Sequence, residues 1–178
     1  MEKHDLEIQS GKVSINFYYT DELVKTNELD LYKTWLHYGA TAIDKHFYIE
    51  KKPIVLNVTL SSDAEIIEIN SEHRNKEKIT DVLSFPMQES MRKGEFEDFL
   101  PEIELGDILI CKSVCEAQAQ EFELTYFEEF IHLFVHGFLH VYGYDHEISD
   151  EEELIMESLE LSLLMKISEI KKAGTSPA

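Results

Sequence analysis

Positive charge is scarce in this 178-residue chain: 16 lysines and arginines face 36 aspartates and glutamates, a formal charge of −20. Such a chain is repelled by bare polyanions over a Debye length. Broad electrostatic affinity for nucleic acid or acidic lipid is thereby excluded, and any polyanion site must be local. Arginine is rarest of all, present only as Arg74 and Arg92. Cysteine is equally rare. Cys111 and Cys115 are spaced as successive turns of one helix and are expected to be reduced core thiols, because the metal signal is weak without a second cysteine pair. The opening MEKHDLEIQS has no apolar segment, so no secretory signal is expected. The most apolar stretch, Phe130–Tyr144, holds three histidines and is too short to span a bilayer. A cytoplasmic protein without membrane contact is the expectation.

What remains is ordinary for a globule, with 43% hydrophobic and 29% charged residues. A chain of this length can bury about 70% of its unfolded surface. No repeat and no Pro-rich or Ser-rich linker divides it. One domain is expected over residues 1–172, with a flexible tail over 173–178 (AGTSPA).

Periodicity gives the order β-α-β-α-β-β-α-α-α. Lys12–Thr20 reads as a strand and Glu28 to about Phe47 as a helix with Tyr32, Leu36, Ala40 and Ile43 on one side. Pro53–Leu60 alternates as a strand, and Ser62 or Asp63 caps a helix to about Glu72. Thr80–Met87 is a strand whose Pro86 cannot donate to a ladder, which places it at a sheet edge. Residues 88–101 are an acidic loop. Ile103–Ile110 is a strand, followed by a helix to about Gln120. Thr125 with Glu128, and Ser149 with Glu152, have capping-box spacing ahead of helices ending at Gly143 and about Ile170. The fold class is α+β: a small mixed sheet of about four strands packed with helices.

Five of the eight histidines are scattered, and three stand in HGFLHVYGYDH. On a helix His136 and His140 are offset by about 40° and about 6 Å, so both rings can converge on one ion. Gly143 can leave the helix through a left-handed conformation and swing His146 back to the same point. Three neutral imidazoles with an open position form the ligand set of a catalytic zinc site, although nickel or copper also suit imidazole. His132 lies about 12 Å from His140 along the helix and cannot share that ion. A core role, or orientation of a ligand, is expected for it. The spacing matches the metzincin pattern HExxHxxGxxH, but the general-base glutamate is replaced by Gly137. Glycine costs about 1 kcal/mol in a helix interior, which implies that something approaches the backbone closely there.

HGFLHVYGYDH resembles the H-G-x-L-H-x-x-G-Y-D-H signature of the YbeY family, single-strand-specific metallo-endoribonucleases of ribosomal RNA maturation. EINSEHRNKEKITDVLSFP (Glu68–Pro86) resembles that family's N-x-x-x-R…T-D-V-L-S-F-P block. LGDILI and QAQEFELTYFEEFIHLFVHG resemble its L-G-D-I strand and the helix entering the metal motif. The resemblance spans about Asn57–Ile170, and the first fifty residues carry no signature.

The resemblance implies His136, His140 and His146 as ligands of one Zn2+ and Arg74 as the functional arginine facing the metal. Independently, Arg74 opens the densest basic stretch of the chain, HRNKEK, and a guanidinium grips phosphate oxygens bidentately. Hydrolysis of single-stranded or ribosomal RNA is the implied activity, by zinc-activated water or by the RNA 2′-hydroxyl. A ribosomal protein or ribosome-assembly GTPase is the implied partner, and DNA is not expected as a substrate. Asp81, Ser84 and Asp107 read as strand-end hydrogen-bonding residues, Asp145 as one that fixes the turn or a ligand imidazole, and Asp150–Glu153 as favourable charge at a helix N-terminus. Two rivals stand beside this reading: a metal-dependent protease or amidase, and a non-catalytic ribosome-assembly factor.

Overall fold

The computed structural model describes residues 3–47, 52–96 and 99–174. Five strands and five helices occur there: β1 (Lys3–Ser10), β2 (Val13–Thr20), α1 (Leu29–His46), β3 (Ile54–Ser61), α2 (Asp63–Arg74), β4 (Val82–Pro86), β5 (Ile103–Cys111), α3 (Lys112–Glu121), α4 (Tyr126–Tyr142) and α5 (Asp150–Lys172). The strands form one mixed sheet in the order β1-β2-β3-β5-β4. β2, β3 and β5 run parallel, while β1 and β4 close the two edges antiparallel. The α+β class holds, and β4 is the edge strand that Pro86 required.

The sheet has five strands, not about four. β1 lies ahead of the first strand expected, which began at Lys12. Its alternation of Leu6 and Ile8 with Asp5, Glu7 and Gln9 is that of an edge strand with one wet face. A two-residue turn joins it to β2. Gly11 there has φ +56°, and the Asp44 carboxylate accepts from Lys12 N at 2.8 Å.

β5 is buried on both faces, which explains its apolar run Ile108–Cys111, whereas β3 alternates buried with half-buried residues. Ile108 and Ile110 face the main core, which holds Phe17, Tyr32, Leu36 and the α4 stripe Phe130, Phe134 and Phe138. Leu109 and Cys111 face the opposite side, where they meet Ile66 of α2 and Leu83 of β4. Each phenylalanine of that stripe is fully buried, contributing about 1.5–3 kcal/mol. α4 is therefore anchored as an inner helix, and its histidines inherit a rigid base.

Ser62 and Thr125 each form a complete capping box, with Glu65 and Glu128 respectively. The third box is only half made. Ser149 Oγ accepts from Glu152 N at 3.2 Å, but the Glu152 carboxylate is taken by Arg92 of the β4–β5 connection. Cys111 and Cys115 are free and buried, as expected of core thiols. They are not on one helix: Cys111 ends β5 and caps α3. Ala173 and Gly174 close the last turn of α5, and the remainder of the expected tail, 175–178, lies outside the described residues. No helix among the described residues is long and apolar enough to cross a membrane.

Candidate active site

α4 delivers His136 and His140 from its last two turns on the face opposite the phenylalanine stripe. The helix then stops because Gly143 takes φ +114°. Its N–H bonds to His140 O at 3.1 Å, and Tyr144 N bonds to Leu139 O at 2.9 Å, closing the carbonyl end in a Schellman-like turn. A side chain at 143 would also meet Ser90 Oγ at 2.5 Å. Asp145 Oδ1 accepts from Glu147 N at 2.9 Å, fixing the turn as expected of it. That turn carries His146 back to the helix.

The three rings converge. Their centroids lie 4.7 Å (His136–His140), 5.3 Å (His136–His146) and 5.1 Å (His140–His146) apart. One nitrogen from each lies within 4.8 Å of the others, and His136 Nε2 is 3.1 Å from His140 Nε2. Burial, then the neighbouring His136 and His146, push the His140 pKa down to about 4. That ring is accordingly a neutral donor at physiological pH, the form a cation requires. Three ring nitrogens aimed at one point suit a divalent cation of the zinc type.

Behind the cluster stand two carboxylates that periodicity alone did not single out. Glu160 Oε1, on α5, lies 3.1 Å from His136 Nδ1 and 3.6 Å from His132 Nε2. Glu129 Oε2 lies 3.2 Å from His132 Nδ1, and Glu129 is almost completely buried at 1% exposure. Burial alone would raise the Glu160 pKa, but the hydrogen bonds from His132 and His136 hold it down at about 2. The bonds to Glu129 and Glu160 lift His132 to about 10. His132 is therefore half-buried in a polar network beside the cluster. The signal for Glu160 was its register: it falls between Met156 and Leu163, both buried, on the inward stripe of α5.

Arg74 ends α2 and Asn75 follows in the left-handed region at φ 53°. Asn70, buried one turn earlier, donates from Nδ2 to Lys78 O at 2.8 Å and pins the loop that follows the arginine. Arg74 is exposed, and among the described residues no carboxylate pairs with it. It shares a cleft of about 700 Å³ with Lys76, Ser84, His136, His140 and His146. Thr80 and Asp81, which lead into β4, and Val82 at its start supply one wall of that cleft. Asp81 accepts from Gln118 Nε2 at 3.0 Å and Val82 N at 2.8 Å. These bonds outweigh burial and hold its carboxyl below the usual range. Asp107 Oδ1 accepts from Asn57 Nδ2 at 2.9 Å. Both aspartates thus have the hydrogen-bonding role expected of them.

An α+β sheet protein whose inner helix and following glycine turn gather three imidazoles in an arginine-lipped cleft has the layout of a metallohydrolase. The family model described as endoribonuclease YbeY matches residues 16–168, and the chain belongs to that family. Endoribonuclease YbeY of Persephonella marina is 39% identical over 128 residues, covering 72% of this chain and 78% of that protein. The Idiomarina loihiensis protein of that name is 32% identical over 157 residues, covering 87% and 88%. The Agrobacterium fabrum protein is 42% identical over 114 residues, 64% of each. The solution structure of TM1509 from Thermotoga maritima superposes with a TM-score of 0.58 at 24% identity, over 90% of this chain and 93% of that one, and supports the fold. The family match begins at residue 16, well before the Asn57 at which sequence motifs become recognisable.

Proposed function

We propose that this protein is a zinc-dependent endoribonuclease that cleaves single-stranded RNA phosphodiesters during ribosomal RNA maturation in the cytoplasm. The observation that carries the reading is the convergence of His136, His140 and His146 in the cleft that Arg74 borders. These imidazoles would hold the ion, leaving a coordination position for substrate. When bound, the ion supplies Lewis-acid chemistry, acidifying water and polarising a phosphoryl oxygen. Arg74 grips the remaining phosphate oxygens and stabilises charge that develops on them. Gln118, Val82 and Thr80 hold Asp81 in the β4 wall with its oxygens occupied, so that wall is a fixed surface against which a strand can lie.

The charge of −20 sits beside this substrate without contradiction. The cleft is lined by Arg74 and Lys76 against Asp81, Asp145 and Glu147, and a divalent ion would turn the local balance positive. RNA would then be held by a small footprint, with a ribosomal protein or assembly GTPase delivering it. The protease rival lacks its base: the Cβ position at Gly137 is filled by Ile108 of β5 and Ser84 of β4.

The test pairs metal analysis with cleavage of a single-stranded RNA. Wild type should carry one zinc per chain and cleave; His136→Ala should lose both properties. Arg74→Glu should keep the zinc and lose cleavage. An Arg74→Glu variant that supports normal ribosomal RNA processing would overturn the catalytic reading in favour of a scaffold.

A further inference from the structure

A continuous chain of four side chains crosses from the buried face of α4 to the imidazole cluster by way of α5. Glu129 Oε2 faces His132 Nδ1 at 3.2 Å, and His132 Nε2 faces Glu160 Oε1 at 3.6 Å. The same Glu160 oxygen faces His136 Nδ1 at 3.1 Å, and His136 Nε2 points at His140 Nε2 at 3.1 Å. The acceptors dictate the protons. An ionised carboxylate can only accept, so Glu160 at this distance favours the His136 tautomer with its hydrogen on Nδ1 and its lone pair on Nε2. That lone pair is aimed where the other two rings converge. Without a carboxylate at Nδ1 the proton is free to sit on Nε2, where it blocks ligation.

We propose that Glu160 is a positioning residue for His136: it fixes the Nδ1–H tautomer and the ring orientation that present Nε2 to a divalent cation, while Glu129 and His132 hold Glu160 in place. The inference rests on the reading of His136 as a metal ligand and adds a device that selects one of its two ring nitrogens. The placement of Glu160 argues against a simple tie between helices. It occupies the inward stripe of α5 between Met156 and Leu163, where an apolar side chain would join the helices without burying a charge. Glu129, on α4 itself, is buried, and its side-chain partner among the described residues is His132. A buried carboxylate, Glu129, and a half-buried one, Glu160, flank His132, and the Glu160 oxygen also meets His136, an arrangement that holds the geometry of that ring.

The test reads metal affinity and tautomer rather than turnover. Zinc affinity is measured by chelator competition on the full chain, and ring-nitrogen shifts by 15N NMR on the metal-free protein. Glu160→Ala should weaken zinc binding by about 10–100-fold, the usual effect of losing a carboxylate behind a ligating histidine. Glu160→Gln, which keeps the shape and a neutral acceptor, should fall between Glu160→Ala and wild type, and it carries the test if the alanine variant does not fold. Wild type should show His136 protonated on Nδ1, and Glu160→Ala should show proton density on Nε2. Unchanged zinc affinity and tautomer in folded Glu160→Ala would overturn the proposal alone. Wild-type protein that takes up no zinc would overturn the metal reading as well.

Discussion

Gly137 on α4 and Ile108 on β5 meet so closely that a Cβ at 137 would lie 2.7 Å from Ile108 Cγ2 and 3.2 Å from Ser84 Oγ. This contact sets the distance between the histidine helix and the sheet, and it explains why a helix interior tolerates glycine here. Alanine at 137 would gain about 1 kcal/mol of helix propensity. It would also overpack a β-branched neighbour in a closed core, a change that costs about 1–3 kcal/mol. The expected result for Gly137→Ala is net destabilisation of about 1 kcal/mol in chemical denaturation. Gly137→Glu, which restores the metzincin spacing, should unfold the protein or lose several kcal/mol and gain no peptidase activity.

The metal-free protein should show two opposed pH effects. His140 is held near pKa 4 against an ordinary 6.5. Between those values the unfolded chain binds a proton that the folded one does not, so stability should rise with pH from about 4 to 6.5. His132 is raised from 6.5 to about 10. Its contribution is complete below 6.5 and is lost as pH climbs through 10. Denaturation midpoints followed across this range should fall on the alkaline side, and His132→Gln should flatten that limb. A wild-type alkaline limb as flat as the variant's would contradict the Glu129–His132–Glu160 network.

Binding of a short single-stranded RNA should depend weakly on salt. For single strands the log–log slope is about −0.7 per phosphate neutralised, and the cleft offers Arg74 and Lys76. A slope of about −1.4 is expected for that pair. Arg74→Gln should reduce its magnitude by about 0.7. A slope several times steeper would mean a broad basic surface, in conflict with a chain of net charge −20.

Legibility in the sequence followed the range of each interaction. The imidazole pair was legible because i and i+4 spacing on a helix is local geometry, and Gly143 announced the turn that brings His146 round. Pro86 announced the sheet edge. β1 was obscured because an edge strand buries one face only, and its charged residues resemble a polar terminus until it pairs with β2. Glu160 was missed because its partner His136 lies 24 residues away on another helix. The only local trace was an acid in an apolar stripe. The failed capping box at Ser149 has the same origin: Glu152 is claimed by Arg92, 60 residues distant, and no local rule anticipates that competition.

The central claim is tested most directly by zinc-edge anomalous diffraction from crystals of the zinc-loaded protein. A single ion per chain is expected, bound by one nitrogen each of His136, His140 and His146 at about 2.0–2.1 Å. The fourth position should be held by water or an exogenous oxygen and should open toward Arg74. An ion elsewhere, or a fourth protein side chain closing the tetrahedron, would contradict it.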